Sequence, residues 1–156
     1  LDGDTKEGGG LANKRRKLAE KRPWIPADGE ILPGAEVAAK VQSEWIHARV
    51  VRYVARTKKY EVEDADTESA DKSKRYHVPC RWVLPLIIPK HSETLRKQKR
   101  VLALFPYTTS FYAGQIVSLE SQDRYGVRFD DDLEDGKIVK KRKIPRYFVV
   151  PYPSGV

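Results

Sequence analysis

The sequence predicts an all-β protein built as two small five-stranded barrels packed in tandem. Two observations predict it. From Gly34 onward, short runs rich in Val, Ile, Tyr and Trp alternate with turn residues, which is the pattern of short strands. That region also repeats itself. Trp45-Ile46-His47-Ala48-Arg49-Val50 aligns with Phe111-Tyr112-Ala113-Gly114-Gln115-Ile116 at an offset of 66, and Tyr60-Glu61-Val62 with Tyr125-Gly126-Val127 at an offset of 65. A sheet of roughly five short strands hides its edges by closing on itself. Two barrels with thin cores gain buried apolar area by packing together.

The expected organisation is a flexible basic segment over 1–30, a first barrel over 31–90 and a second over 91–156. Strands of the first unit are expected at Ala35–Val41, Trp45–Ala55, Lys59–Asp64, Arg75–Val78 and Trp82–Pro85. Those of the second are expected at Arg100–Phe105, Phe111–Leu119, Tyr125–Asp130, Lys137–Lys143 and Tyr147–Val150. Pro89 to Gln98 connects the two, with a helical turn starting at Ser92. Alternation along Trp45–Val54 places Ile46, Ala48, Val50 and Val54 on the core face. In the second unit Phe111, Ala113, Gln115 and Val117 share one face, and Tyr112, Gly114 and Ile116 the other. Trp24, Trp45, Trp82, Tyr60 and Tyr125 read as core or barrel-interface residues.

Net charge is +8 over 156 residues, a balance that attracts acidic partners. The cations cluster at Lys14-Arg15-Arg16-Lys17 and Lys140-Lys141-Arg142-Lys143. The first cluster fits a nuclear import patch, or simply a charged linker, beside a short basic helix over Leu11–Arg22. The second reads as a charged edge strand, or as a contact for the backbone of nucleosomal DNA. Leu1 to Gly10 is polar and Gly-rich, which reads as linker and suggests a fragment of a longer chain. No signal peptide is seen, and no apolar run approaches the roughly 20 residues of a membrane span.

The single cysteine, Cys80, excludes an intrachain disulfide and fits a reducing compartment. Three separated histidines, His47, His77 and His91, assemble neither a zinc site nor a catalytic constellation. Cys80, between Pro79 and Arg81, is expected to pack rather than react. Phosphate-loop and dinucleotide motifs are absent. The reading is therefore a non-enzymatic protein with no cofactor and no metal.

Several blocks carry a resemblance: Val37-Ala38-Ala39, Trp45 to Val51, Lys59 to Asp66, Val127 to Asp131 and, most specific, Val101 to Tyr112 with its Leu-Ala-Leu-Phe-Pro-Tyr-Thr-Thr-Ser-Phe-Tyr run. Over Ile31 to Tyr152 the chain resembles the carboxy-terminal region of the family of SAGA-associated factors of about twenty-nine kilodaltons. The resemblance implies a tight pair of Tudor-type (SH3-like) barrels and a nuclear location. It implies a role in a SAGA-type acetyltransferase complex, reading the tail of histone three when its fourth-position lysine is di- or trimethylated. By motif, the methyl-lysine cage falls on Phe105, Tyr112 and Phe129 of the second barrel, with Asp131 beside it. A pocket for the free histone amino terminus falls on Asp64 and Asp66 of the first. The animal members carry Tyr where this chain has Phe105, which keeps the π face and lacks the hydroxyl.

The chemistry suits those residue types. A trimethylammonium group donates no hydrogen bond and is weakly hydrated; aromatic faces attract it at about 0.5–2 kcal/mol per contact. A free amino terminus has three donors, which paired carboxylates accept. Two weak anchors on one peptide act as one strong site. Plainer readings exist for each residue. Strand aromatics such as Phe105, Tyr112 and Phe129 are usually core. Against that, Phe105 ends a strand before Pro106, and Tyr112 cannot share a face with Phe111. Asp64 and Asp66 read by default as turn acids, and Asp130-Asp131-Asp132 as a soluble hairpin loop. Two further functional readings stay open: a nucleic-acid-binding small barrel, and a reader of methylated arginine.

Overall fold

The computed structural model describes residues 30–66 and 74–154. The Lys14–Lys17 cluster, the basic helix and Trp24 lie outside the described residues. The first unit comprises β1 (Glu36–Val41), β2 (Glu44–Val54), β3 (Lys59–Asp64), β4 (Arg75–Pro79) and β5 (Val83–Pro85). The second comprises β6 (Arg100–Leu104), β7 (Ser110–Ser121), β8 (Arg124–Phe129), β9 (Leu133–Glu134), β10 (Lys137–Ile138), β11 (Arg142–Pro145) and β12 (Val149–Pro151). Among the described residues no helix is long and apolar enough to cross a membrane.

The expected strands form, with instructive differences. Lys137–Lys143 is not one strand. Asp135 and Gly136 both take positive φ, 53° and 77°, and close a tight hairpin of β9 on β10. An Asp-Gly pair is the residue choice that such a turn favours. The chain then leaves the hairpin and re-enters the sheet as β11 against β8. The helical turn expected at Ser92 lies just before it, at Pro89–His91, with Ser92 as its C-cap. Trp82 and Tyr147 fall in short 3-10 turns, Cys80–Trp82 and Arg146–Phe148, that precede β5 and β12. These turns extend the internal repeat: Pro79-Cys80-Arg81-Trp82-Val83-Leu84-Pro85 matches Pro145-Arg146-Tyr147-Phe148-Val149-Val150-Pro151. Cys80 is exposed rather than packed, and its thiol donates to the Lys58 carbonyl at 3.2 Å.

A β-bulge corrects the inside–outside assignment on β2. Register with β3 shifts between Val50 and Arg52, which reverses the alternation beyond that point. Ala48 and Val50 lie in the first core as expected, but Tyr53 rather than Val54 packs against it. Tyr53 meets Tyr60 with ring centroids 4.9 Å apart.

Each barrel has its own core. The first gathers Val37, Ala39, Ala48, Val50, Tyr60, Val62, Val78 and Val83; the second gathers Val101, Ala103, Ile116, Tyr125, Val127, Phe129, Ile144 and Val149. The repeat shows in hydrogen bonds too. The Tyr60 hydroxyl accepts the Ile31 N–H at 2.9 Å, and the equivalent Tyr125 hydroxyl accepts the Leu95 N–H at 2.7 Å. In both units a core tyrosine ties down the segment entering its barrel.

The barrels share a continuous sheet. β2 pairs antiparallel with β7, Trp45 opposite Phe111 and Ile46 opposite Ser110. Trp45 and Phe111 are equivalent positions of the repeat, so the two units meet through matching residues. Around that pair a third apolar cluster joins the barrels: Ala38, Trp45, Leu86, Leu102, Phe111 and Val150, flanked by Trp82, Leu84, Leu104, Tyr147 and Phe148.

A polar bridge supplements this contact. Glu36 on β1 lies 2.7 Å from His47 Nε2, and its charge also acts on Tyr147 of the second unit. Burial, with Glu36 adding to it, pushes the Tyr147 phenol from 10.0 up to about 12. A phenol held neutral by the fold stabilises it below the unfolded pKa and loses that contribution as pH rises through the folded one. Stability is therefore expected to fall between pH 10 and about pH 12. Denaturant titrations of the native chain and Tyr147→Phe across that range check this, since the Phe variant loses this component of the pH dependence.

Candidate functional site

Phe105, Tyr112 and Phe129 come from three separate segments and meet at one end of the second barrel. The strand register brings them together. Tyr112, Gly114 and Ile116 alternate onto the inward face of β7, where Ile116 is core and Gly114 lies opposite Phe129. Tyr112 lies opposite Ala103 of the second core. Gly114 is needed there: a Cβ on it would lie 2.7 Å from the Arg128 carbonyl oxygen and 3.1 Å from the Phe129 Cα. Phe105 sits just past β6, where its N–H donates to Ser110 O at 3.0 Å. Its carbonyl accepts both the N–H and the hydroxyl of Thr108, at 3.1 and 2.8 Å. The loop that carries the ring is thus tied to itself.

Phe105 is the hub. Its centroid lies 5.7 Å from Tyr112, with planes at 88°, and 5.0 Å from Phe129, at 60°. The rings differ in exposure. Tyr112 is 52 % exposed, Phe105 is half-buried and Phe129 is 3 % exposed. Phe129 therefore serves the second core first and presents only a floor to any ligand. Tyr112 is the open wall.

Three consecutive acids follow Phe129, and they separate sharply. Asp130 takes a bidentate ion pair with Arg100, at 2.9 and 2.8 Å. That hydrogen-bonded guanidinium holds its carboxyl below the usual range. Asp132, its side chain 5 % exposed, takes another with Arg142, at 2.7 and 3.0 Å. Asp131, between them, is exposed, adopts φ 57° and has no side-chain partner among the described residues. The turn leaves one carboxylate without an ion-pair partner, two residues beyond Phe129.

In the first barrel, Asp64 and Asp66 lie in a single turn at the end of β3. The Asp64 carboxylate accepts the Asp66 N–H at 2.8 Å. The turn is fixed to β2 by the Ala65 N–H, which donates to the His47 carbonyl at 3.0 Å. The His47 N–H in turn donates to Thr109 O at 2.9 Å, in the loop that carries Phe105. The acid turn and the loop that follows Phe105 are therefore both hydrogen-bonded to the backbone of one residue, His47, at the junction of the barrels. His47, His77 and His91 build no metal site: no group of three His, Cys, Asp or Glu side chains suited to a metal occurs among the described residues.

This architecture and these blocks have known counterparts. The sequence pattern of the SGF29 tudor-like domain matches residues 33–153. The chain belongs to the SGF29 tudor-like family. It is 34 % identical over 141 residues to SAGA-associated factor 29 homolog B of Arabidopsis thaliana, covering 80 % of this chain and 50 % of that protein. It is 31 % identical over 155 residues to SAGA-associated factor 29kDa of Drosophila melanogaster, covering 87 % and 53 %. It is 30 % identical over 132 residues to SAGA complex subunit SGF29 of Saccharomyces cerevisiae, covering 81 % and 50 %. The chain thus spans about half the length of the curated relatives it matches. Among solved structures, ADCP1 tandem Agenet domain 3–4 aligns over 92 % of this chain and 89 % of that one, at TM-score 0.45 and 15 % identity.

Within this SGF29 tudor-like pair, sequence reasoning missed Arg142. It reads as one of four consecutive cations. In the structure it lies opposite buried Val127 and so turns inward at the barrel's end, where its guanidinium stacks on Phe105, 4.8 Å from the centroid. Hydrogen bonding to Asp132 raises its pKa further. Arg142 covers one side of Phe105 and holds the ring upright, with its own charge matched by Asp132 and, at 3.5 Å, Glu134. Only alternation counted from Ile144, a core residue two positions on, signals this inward turn.

Proposed function

We propose that the chain is a non-enzymatic nuclear reader of the histone three tail, selecting the di- or trimethylated fourth-position lysine within a SAGA-type acetyltransferase complex. The observation that carries this is the convergence of Phe105, Tyr112 and Phe129, with Asp131, the one of the three consecutive acids without a partner, two residues beyond Phe129. In this reading the methylammonium rests on Phe129 between the walls of Phe105 and Tyr112. Asp131 supplies the counter-charge and accepts a hydrogen bond from a dimethyl form. The tail's free amino terminus docks at Asp64 and Asp66, in the turn at the end of β3. The complex and the nuclear location are supported by the names of the relatives, which are SAGA-associated factors or subunits.

Calorimetric titration tests it with four tail peptides: unmodified, dimethyl, trimethyl, and trimethyl with an acetylated amino terminus. Tight binding of the methylated peptides alone, weakened by the acetyl block, supports the reading. Equal binding of all four sinks it. Binding that instead follows a methylated arginine in the peptide moves the assignment to an arginine reader.

Two neighbouring acids give a sharper comparison. Asp131→Asn is expected to weaken the trimethyl peptide roughly fivefold, about 1 kcal/mol for an exposed pair, with the melting temperature unchanged. Asp132→Asn leaves Arg142 facing a neutral amide at a mostly buried position and is expected to cost roughly 2–3 kcal/mol of stability. Thermal melts beside the titrations separate the two.

A further inference from the structure

On the side of the second barrel away from its core, the sheet carries a cluster of cations that the site does not use. Lys143 on β11 lies opposite Gly126 on β8. Arg124 and Arg128 lie two residues to either side of Gly126 on the same strand, so all three side chains project from the outer face. All three are exposed. The diagonal spacing of such positions is about 7–8 Å, comparable with the step between successive phosphates on a nucleic-acid strand. Gly126 keeps the middle of the patch low, and the stem of Lys141 lies across it, within 2.6 Å of where a Cβ would stand.

Three acids lie near the patch: Asp123 accepts from the Ser121 hydroxyl at 2.9 Å, while Glu120 and Asp130 reach Lys143 and Arg128 electrostatically but bind other cations directly. Glu120 binds Lys141 at 2.7 Å, and Asp130 is held by Arg100. Arg128 donates to a neutral group, Gln115 Oε1, at 2.8 Å. Arg124, Arg128 and Lys143 have no carboxylate within ion-pair distance among the described residues. The four-residue run Lys140–Lys143 is thereby divided: Arg142 turns inward, Lys141 is paired, and Lys143 stays with the outer face. The outer-face residues paired with β8, Gln115, Ser118 and Ser121, are polar, which suits a phosphate backbone.

We propose that this outer face, centred on Arg124, Arg128 and Lys143, is a sequence-independent contact for the phosphate backbone of duplex DNA. It stands apart from the ring cluster, since the two use opposite faces of the same strands. The patch does not depend on the histone-reading proposal.

The test uses the full chain, a fluorescent duplex of random sequence and a salt series. The native chain is expected to bind the duplex, with affinity falling steeply as salt rises. Combined Arg124→Gln, Arg128→Gln and Lys143→Gln should weaken binding about ten- to hundredfold and lower the salt slope by about 2–3, with the melting temperature unchanged. Lys143→Gln alone should lower the slope by about 1. Tyr112→Ala should leave duplex binding intact. Failure of the native chain to bind DNA at low salt overturns the proposal. So does a triple variant that binds as well as the native chain, or a native chain that prefers anionic vesicles to duplex.

Discussion

Replacing Tyr112 by Ala is expected to abolish methyl-dependent binding of the tail peptide, a loss of about hundredfold or more, on the scale of roughly 2–4 kcal/mol for a central aromatic anchor. The same variant should melt at the native temperature. The reason lies in exposure. Tyr112 is 52 % exposed and touches the ring cluster through Phe105 rather than through the core. Removing it opens the wall of the site without hollowing the barrel. Its neighbour Phe129, 3 % exposed in the second core, does not allow so clean an experiment, because its removal leaves a cavity as well as a weakened site. Calorimetry with the trimethyl peptide and a thermal melt on the same sample decide the matter. A melting temperature lowered by several degrees would identify Tyr112 as a packing residue and withdraw the cage.

The largest loss of stability is expected from Trp45→Ala, about 3–5 kcal/mol for a buried indole. Trp45 is 7 % exposed and lies opposite Phe111 where β2 meets β7. Its side chain fills the cluster between the barrels rather than either barrel's own core. The variant should therefore unfold at lower denaturant and loosen the coupling between the halves. Urea titration followed by tyrosine and tryptophan fluorescence measures the first effect. A transition that splits in two would report the second. Retention of native stability would mean that the shared cluster contributes little and that the barrels stand alone.

How much of this was legible in the sequence depends on the kind of interaction. The strands were legible because Val, Ile and aromatic residues alternate between turn signals. The two-barrel plan was legible because Trp45 and Phe111 stand at matching positions of a repeat. What alternation does not carry is a change of phase. One extra residue near Val51 turns Tyr53 inward, and no rule of period two shows where such a bulge falls. The hairpin at Asp135-Gly136 did have a signal in that dipeptide, overshadowed by the cationic run beyond it. The ring cluster was visible as residue types and family blocks, while its electrostatics were not. Asp130, Asp131 and Asp132 look alike in a row. Only the fold pairs the first with Arg100 and the third with Arg142 and leaves the middle one bare. Those partners lie 30 and 10 residues away, so no local pattern links them.

The contact between Trp45 and Phe111 has one further consequence. A strand pair in which matching positions face each other is the isologous contact of a two-fold symmetric dimer. Two copies of a single-barrel chain could form it without a linker, and joining them end to end would preserve it. At one position Ile46 packs against the first core, while its counterpart Tyr112 stands open to solvent in the second. The scaffold keeps the symmetry, and the proposed site lies where its two halves differ.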